Sequence, residues 1–255
     1  MVEPIFLTSR DNALLKVLRR LGSENTAYRK EGQFWVEGEH LCSAALQRGL
    51  LPAVAVYSEA FWPVAPVEYA RAAIKNVVIS SVYFSEISGL ESPGHVGFLI
   101  DLPTEAAIQP GVATVILDRV QDAGNVGSIL RSAGAFGFRQ VVALKGTAAL
   151  WSPKVLRAGM GAHFGLTLLE GLSPEVLDAL KVPVVVTSSH QGELLQNLKL
   201  PNPCAWAMGH EGQGVCAELM AKANFFARIG QPGGEESLNV AAAAAICLHA
   251  SSVGA

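Results

Sequence analysis

From Val112 to the C-terminus, short wholly apolar segments alternate with segments of helical spacing, and no other feature restricts the fold as much. "VATVILD" precedes the helix candidate "NVGSILRSAGAFG", and "QVVALKG" precedes "SPKVLRAGMGAHF", with Pro153 near its start. "LTLLEGL" and "VPVVVTSS" flank "PEVLDALK", and "CAWAMG", the helix "CAELMAKA", "FFARIG" and a terminal helix from Ser237 complete the series. A strand that is apolar at every position has no solvent face. The pattern therefore predicts an α/β domain, a parallel sheet covered by helices on both faces. In such sheets ligands bind beyond the carboxyl ends of the strands. The loops after "VILD", "AWAMG" and "FFARIG" are the places to look for chemistry.

The first hundred residues predict a smaller α/β unit. "NALLKVLRRLG" is a helix that closes at Gly22, taken as its C-terminal cap. "QFWVEG", "PAVAVYS", "NVVISS" and "GHVGFLID" read as strands, "EHLCSAALQRGL" and "EYARAAIK" as helices, and "SEISGL" as a turn of helix. The segment "DLPTEAAIQPGVA", with Pro103 and Pro110, is the linker, which gives domains over 1–105 and 106–255.

Composition excludes several classes. Of 255 residues 50% are hydrophobic and 16% charged, enough apolar material for a sizeable core. No apolar run reaches the roughly 18 residues of a membrane span, and the N-terminus lacks a basic region followed by an apolar one. No membrane association and a cytoplasmic location are expected. Cys42, Cys204, Cys216 and Cys247 are scattered without a CxxC, so core thiols are expected and no metal. The net charge of −3 makes no global case for nucleic acid. Locally, Arg10, Lys16, Arg19, Arg20, Arg29 and Lys30 outweigh Glu3, Asp11 and Glu24, a face that can meet phosphates or stay solvated.

Three loops carry candidate chemistry. In "DRVQDAGNVGSILRSAGAFGF", Asn125 stands at a helix start, Gly127 lets another backbone come close, and Arg131 follows. Their six-residue separation is nearly two turns, so the two side chains are expected to share roughly one side. The blander reading has Asn125 cap the helix and Arg131 pair with a surface acid. "GHEGQGV" is a tight loop of bare amides with Glu211 as its fixed charge. Its G-x-x-G-x-G is not the dinucleotide G-x-G-x-x-G, and no G-x-x-x-x-G-K-[ST] occurs, which disfavours a nucleotide-dependent oxidoreductase. In "IGQPGGEESLNVAAAAAICLHA", Ser237 is the expected helix N-cap, and Glu235 and Glu236 suit the positive helix end. Those assignments leave Asn239 unexplained. A glycine-rich loop beside the close-packing run Ala241–Ala245 suits a planar adenine held by main-chain hydrogen bonds and apolar walls.

Together these residues resemble the SpoU/TrmH family of RNA ribose 2′-O-methyltransferases, within the SPOUT superfamily. Three motifs match in order: Asn125, Gly127 and Arg131; Gly209, Glu211, Gly212 and Gly214; and Ser237 to Val240. The resemblance covers about 112–250. More loosely, "LTSRDNALLKVLRRL" and "FWVEGEHLCSAAL" are similar to the family's N-terminal substrate-binding domain, an α/β sandwich like some small ribosomal proteins. The resemblance implies a SPOUT domain with a deep trefoil knot. It implies S-adenosylmethionine as methyl donor, held at Gly209, Ile229 and Leu238 with Met208 and Gly214, and no metal. It also implies a homodimer acting on RNA, ribosomal RNA in preference to tRNA, with a non-catalytic RNA-binding protein as the other alternative. Arg131 would engage the target ribose and its phosphate, while Asn125, Glu211, Ser237 and Asn239 hold Arg131, substrate and loops. A guanidinium with a pKa above about 12 is a poor base, so Arg131 is read as an electrostatic positioner. The chain departs from the family pattern at Ile229-Gly230-Gln231, where Ile-Pro-Met is usual, a change expected to loosen the donor loop.

Overall fold

The computed structural model describes residues 3–104, 106–188, 191–233 and 237–253. The chain forms two compact units, Met1–Thr104 with Trp151–Phe164, and Glu105–Leu150 with Gly165–Ala255. The sequence division after residue 105 leaves 151–164 in the second domain, whereas packing groups that segment with the first. Aromatic burial accounts for this: Trp151 and Phe164 lie against Phe34, with ring centroids 4.6 Å and 6.4 Å away.

In the first unit β1 (Ile5–Leu7), β2 (Gln33–Glu37), β3 (Val54–Ser58), β4 (Lys75–Ile79) and β5 (Val96–Asp101) form one sheet in the order β1-β4-β3-β5-β2. β1, β4 and β3 are parallel, and β5 is antiparallel to both its neighbours. The helices are α1 (Ala13–Ser23), α2 (Ala27–Glu31), α3 (Glu39–Gln47), α4 (Val67–Ala72), α5 (Ser81–Ile87) and, from the inserted segment, α7 (Pro153–Gly159). α1 buries Leu15, Leu18 and Leu21, and the Asn12 side chain caps it by accepting from the Leu14 amide at 2.9 Å. It runs past Gly22 to a cap at Glu24, so Gly22 is not the terminator. A Cβ at Gly22 would run into the carbonyl oxygen of Ile87, so this glycine makes room for the end of α5. Three-residue β1 and five-residue α2 escape the sequence reading because they are too short to show a period.

The second unit holds β6 (Thr114–Leu117), β7 (Gln140–Leu144), β8 (Thr167–Leu172), β9 (Val184–Thr187), β10 (Glu193–Leu194), β11 (Ala205–Met208) and β12 (Phe225–Arg228). They make a parallel sheet in the order β10-β12-β9-β11-β6-β7-β8. β6, β7 and β11 are buried at every residue, as continuous apolar runs require. "PEVLDALK" forms a 3₁₀ turn, Pro174–Ala179, instead of the expected α-helix. The helices are α6 (Ala123–Ala135), α8 (Ala217–Lys222) and α9 (Val240–Val253), and α9 packs on α6 and β11. Trp206 of β11 donates its indole N–H to Ser251 of α9 at 2.8 Å, which satisfies a fully buried polar edge. β6 has β7 on one side and β11 on the other, the kind of position at which parallel sheets place ligands. Among the described residues no helix is long and apolar enough to cross a membrane, and no cluster of His, Cys, Asp and Glu could hold a metal ion.

Candidate active site

The three loops singled out from the sequence all leave carboxyl ends of the second sheet, and side chains tie them together. α6 begins with Asp122, whose carboxylate accepts from the Asn125 amide at 2.8 Å. Asp122, not Asn125, is thus the cap, and the Asn125 side chain is free to look outward. Asn125 Nδ2 donates to Glu211 Oε1 at 3.1 Å, and Asn125 Oδ1 accepts from Asn239 Nδ2 at 2.9 Å. The direction of this chain is forced. An ionised carboxylate only accepts, so Asn125 must turn its amide nitrogen to Glu211 and offer its oxygen to Asn239. Asn239 then has its own oxygen left, and it accepts from the amides of Ala241 at 2.8 Å and Ala242 at 3.2 Å. Asn239 is therefore the N-cap of α9, which starts at Val240.

That overturns the assignment of Ser237 as cap. Ser237 is exposed and has no side-chain hydrogen bond among the described residues. Glu235 and Glu236 lie outside the described residues. A capping oxygen reaches the amides two and three residues ahead; from Asn239 these are Ala241 and Ala242 in the first turn of α9, whereas from Ser237 they are Asn239 and Val240, which fall short of them.

Glu211 receives more than Asn125. Its carboxylate also accepts from the amides of Gln121 at 3.3 Å and Asp122 at 3.2 Å. Desolvation works to raise its pKa, but the hydrogen bonds from Asn125 and the amides of Asp122 and Gln121 outweigh it, and the pKa falls below its ordinary value. The loop carrying Glu211 is itself closed. His210 and Gly214 exchange backbone hydrogen bonds of 3.0 Å and 2.8 Å, and His210 Nδ1 accepts from the amides of Gly212 and Gln213. A Cβ at Gly209 would collide with the backbone of Gly214 and Val215, so the tight return of the loop requires glycine there.

The expected donor contacts distribute along this edge of the sheet. Met208 is the buried last residue of β11, and Gly209 follows it. Ile229 is half-buried just after β12, which lies two strands from β11 with β9 between, roughly 10 Å by strand spacing. Leu238 is 40% exposed and adjoins Asn239, which is bonded to the start of α6. Gly214 adopts φ +69° at the far end of the Glu211 loop.

Arg131 is placed differently from the expectation. Six residues are about one and two-thirds turns, so Arg131 points about 120° from Asn125 around α6. It lies on an exposed stripe with Gly124, Ser128 and Ala135, and its side chain makes no hydrogen bond or ion pair with another described residue. The sequence reading also misses Gln121, Asp122 and His210, which build the loops. Asp122 had a legible signal, an acid three residues before the first helical motif residue; His210 and the Gln121 amide had none.

The sequence model of the SpoU rRNA Methylase family matches residues 113–249. The chain is 32% identical to the 23S rRNA (guanosine(2553)-2′-O)-methyltransferase RlmP of Bacillus subtilis (strain 168), over 86% of this chain and 88% of that protein. The chain belongs to the SpoU rRNA methylase family. Among solved structures it is similar to the AdoMet-bound rRNA methyltransferase of Sinorhizobium meliloti, with TM-score 0.83, 26% identity and 96% of each chain covered. It is also similar to an RNA 2′-O ribose methyltransferase, with TM-score 0.78, 29% identity, and 97% of this chain and 98% of that one covered. Apart from the 151–164 segment the SpoU match lies within the second unit, and it contains Asn125, Arg131, Glu211 and Asn239.

Proposed function

We propose that this chain transfers the methyl group of S-adenosylmethionine to a ribose 2′-hydroxyl of ribosomal RNA. The observation that carries the reading is the Glu211–Asn125–Asn239 chain, which joins the ends of three separate strand–helix connections in a chain of the SpoU rRNA methylase family. The ribosomal target follows the B. subtilis relative, named for 23S rRNA and a guanosine.

Main-chain groups at Gly209, Ile229 and Leu238, with Met208 and Gly214 beside them, would hold the donor, whose sulfonium supplies an activated methyl group. The bare amides of a loop closed by glycines and the exposed Leu238 side chain suit the polar and apolar parts of such a molecule. In the reaction the ribose oxygen would form a bond to the methyl carbon, the carbon–sulfur bond would break with its electron pair going to sulfur, and the hydroxyl proton would pass to water. Alignment of oxygen, carbon and sulfur is the main requirement. Arg131 offers a positive charge not spent on another described residue, suited to the ribose, its phosphate and the developing alkoxide. Asn125, Glu211, Ser237 and Asn239 position the loops around it.

A homodimer fits the surface of the second unit. The α6 stripe Gly124, Ser128, Arg131 and Ala135 is exposed, and the adjacent α9 exposes Ala242, Ile246, His249 and Val253 at helical spacing. Burying these helices against a second copy would bring Arg131 to the interface. A trefoil-knotted path for the C-terminal segment is supported by the return of α9 from the β12 side of the sheet to β11 and α6. The first unit serves as the RNA-recognition module, a small ribosomal-protein-like sandwich, and the location is cytoplasmic.

Calorimetry with S-adenosylmethionine and mapping of 2′-O-methyl groups in ribosomal RNA from cells with and without the gene test the reading. A titratable donor site and one lost methyl group are expected. Absence of donor binding favours the non-catalytic RNA binder, and an unchanged rRNA pattern beside a lost tRNA methyl group moves the substrate to tRNA.

A further inference from the structure

Arg119, which follows β6 directly after Asp118, is none of the motif residues named above, yet it ties the loop after β6 to the Glu211 loop. Asp118 is 1% exposed, and its carboxylate accepts from the Cys216 amide at 2.6 Å. The Arg119 guanidinium completes it, with Nε at 2.9 Å from one oxygen and Nη2 at 3.2 Å from the other. To fold back over its own neighbour, Arg119 takes φ +57°, the left-handed region that residues with a Cβ adopt at a cost. Its amide is held in that pose by Thr147 Oγ1 at 3.1 Å, and Thr147 Oγ1 donates in turn to the Leu117 carbonyl at 2.9 Å. The other edge of the guanidinium faces the Glu211 loop: Nη1 donates to Gln213 Oε1 at 2.8 Å and Nη2 reaches the Gly214 carbonyl at 3.4 Å.

From this geometry we propose that Arg119 is a positioning residue of the methyl-transfer site. Through Gln213 and Gly214 it sets the pose of the Gly209–Gly214 loop, and thereby the main chain that meets the donor and the side of the loop from which Glu211 reaches Asn125. A strained backbone persists where surrounding contacts over-determine it, and here Asp118 and Thr147 hold Arg119 in place while its outer edge meets one loop through Gln213 and Gly214. The planar fork matters. One guanidinium edge serves a buried carboxylate while the other serves a neutral amide oxygen and a carbonyl, which a lysine ammonium cannot do at once. Gln213, exposed and one residue before the loop's end at Gly214, is the specific receiver.

The proposal rests on the methyltransferase reading, and the test separates the two. Gln213→Ala removes the receiver while leaving the Asp118–Arg119 pair intact, so it avoids uncovering a buried charge. Arg119→Lys keeps charge beside Asp118 but loses the second edge, and Gln213→Glu keeps an acceptor at the same place. Donor affinity by calorimetry, KM for the donor, kcat and Tm are measured for the full-length variants. Gln213→Ala and Arg119→Lys should each raise Kd and KM for S-adenosylmethionine about tenfold, equivalent to about 1.4 kcal/mol, with a much smaller change in kcat at saturating donor and an unchanged Tm for Gln213→Ala. Gln213→Glu should behave like the wild type, and the Arg119→Lys/Gln213→Ala double variant should be no worse than either single one. Wild-type donor affinity in Gln213→Ala, or additive losses in the double variant, overturns the positioning role. If the wild-type protein binds no donor, the methyltransferase reading fails instead.

Discussion

Glu86 of the first unit and Glu211 of the second are both carboxylates whose pKa lies below the ordinary value, and they reach it by different means. For each, desolvation acts in the raising direction and is overcome. At Glu86 the winning contribution is cationic: Arg10 at 3.1 Å and Arg19 at 2.8 Å converge on one oxygen. At Glu211 it is neutral, from the Asn125 amide and the backbone amides of Asp122 and Gln121. The same contrast runs through the two units. The basic residues that crowd the N-terminal sequence largely pair with one another's neighbours, Arg20 with Glu31 at 2.7 Å and Lys16 with Asp11 at 3.3 Å, so the expected basic face is mostly neutralised. In the second unit Glu211 is stabilised without consuming a cation, and the exposed Arg131 side chain pairs with no described residue. A structural surface spends its charges internally, whereas a site holds them with dipoles.

Arg131→Ala breaks this contrast most severely. Losing a charge that acts on the developing oxyanion should cost at least about a hundredfold in methylation rate, with donor affinity by calorimetry nearly unchanged; retained activity would refute the role. Next comes Glu211→Gln. A carboxamide cannot accept at both positions from three N–H donors, so donor affinity should fall about tenfold, while Glu86→Gln leaves it unaltered. Equal effects of the two substitutions would erase the distinction between the units. A smaller effect is expected from Asn239→Ala, which removes a helix cap at a cost of about 1 kcal/mol in unfolding free energy; Ser237→Ala should leave the denaturation midpoint in place. The mildest test uses acid. Because the folded pKa of Glu211 is depressed, its contribution is complete above the ordinary value of 4.5 and is lost as pH falls through the lower folded value. Donor affinity attributable to Glu211 should be flat down to about pH 5 and insensitive to added salt, unlike the screened Arg10–Glu86–Arg19 cluster.

Much of the second unit was legible in the chain because strand burial is a local pattern. Val115–Leu117, Val141–Leu144 and Ala205–Met208 are apolar runs that a two-sided covering satisfies, and each lies in a wholly buried strand. The choice of loops at their carboxyl ends followed from topology, and Asn125, Glu211 and Asn239 do meet there. Other features were illegible for identifiable reasons. The phase of α6 turns Arg131 away from Asn125, and a residue count that ignores the 100° step hides this. The cap of α9 passed from Ser237 to Asn239 because the helix starts where an oxygen can reach the next amides, not at the first residue of a suitable type.

What the sequence determined by itself is the class of the fold and the composition of its loops, since apolar periodicity and glycine placement act over a few residues. Tertiary structure alone decided the partnerships: Asn125 with Glu211, 86 residues away, Asn125 with Asn239, 114 away, and Arg119 with Gln213, 94 away. It likewise drew 151–164 onto the first unit through Trp151 and Phe164. A hydrogen bond between distant residues leaves no local periodicity. It exists only once the sheet has set strand ends side by side and desolvation has made unpaired polar groups costly.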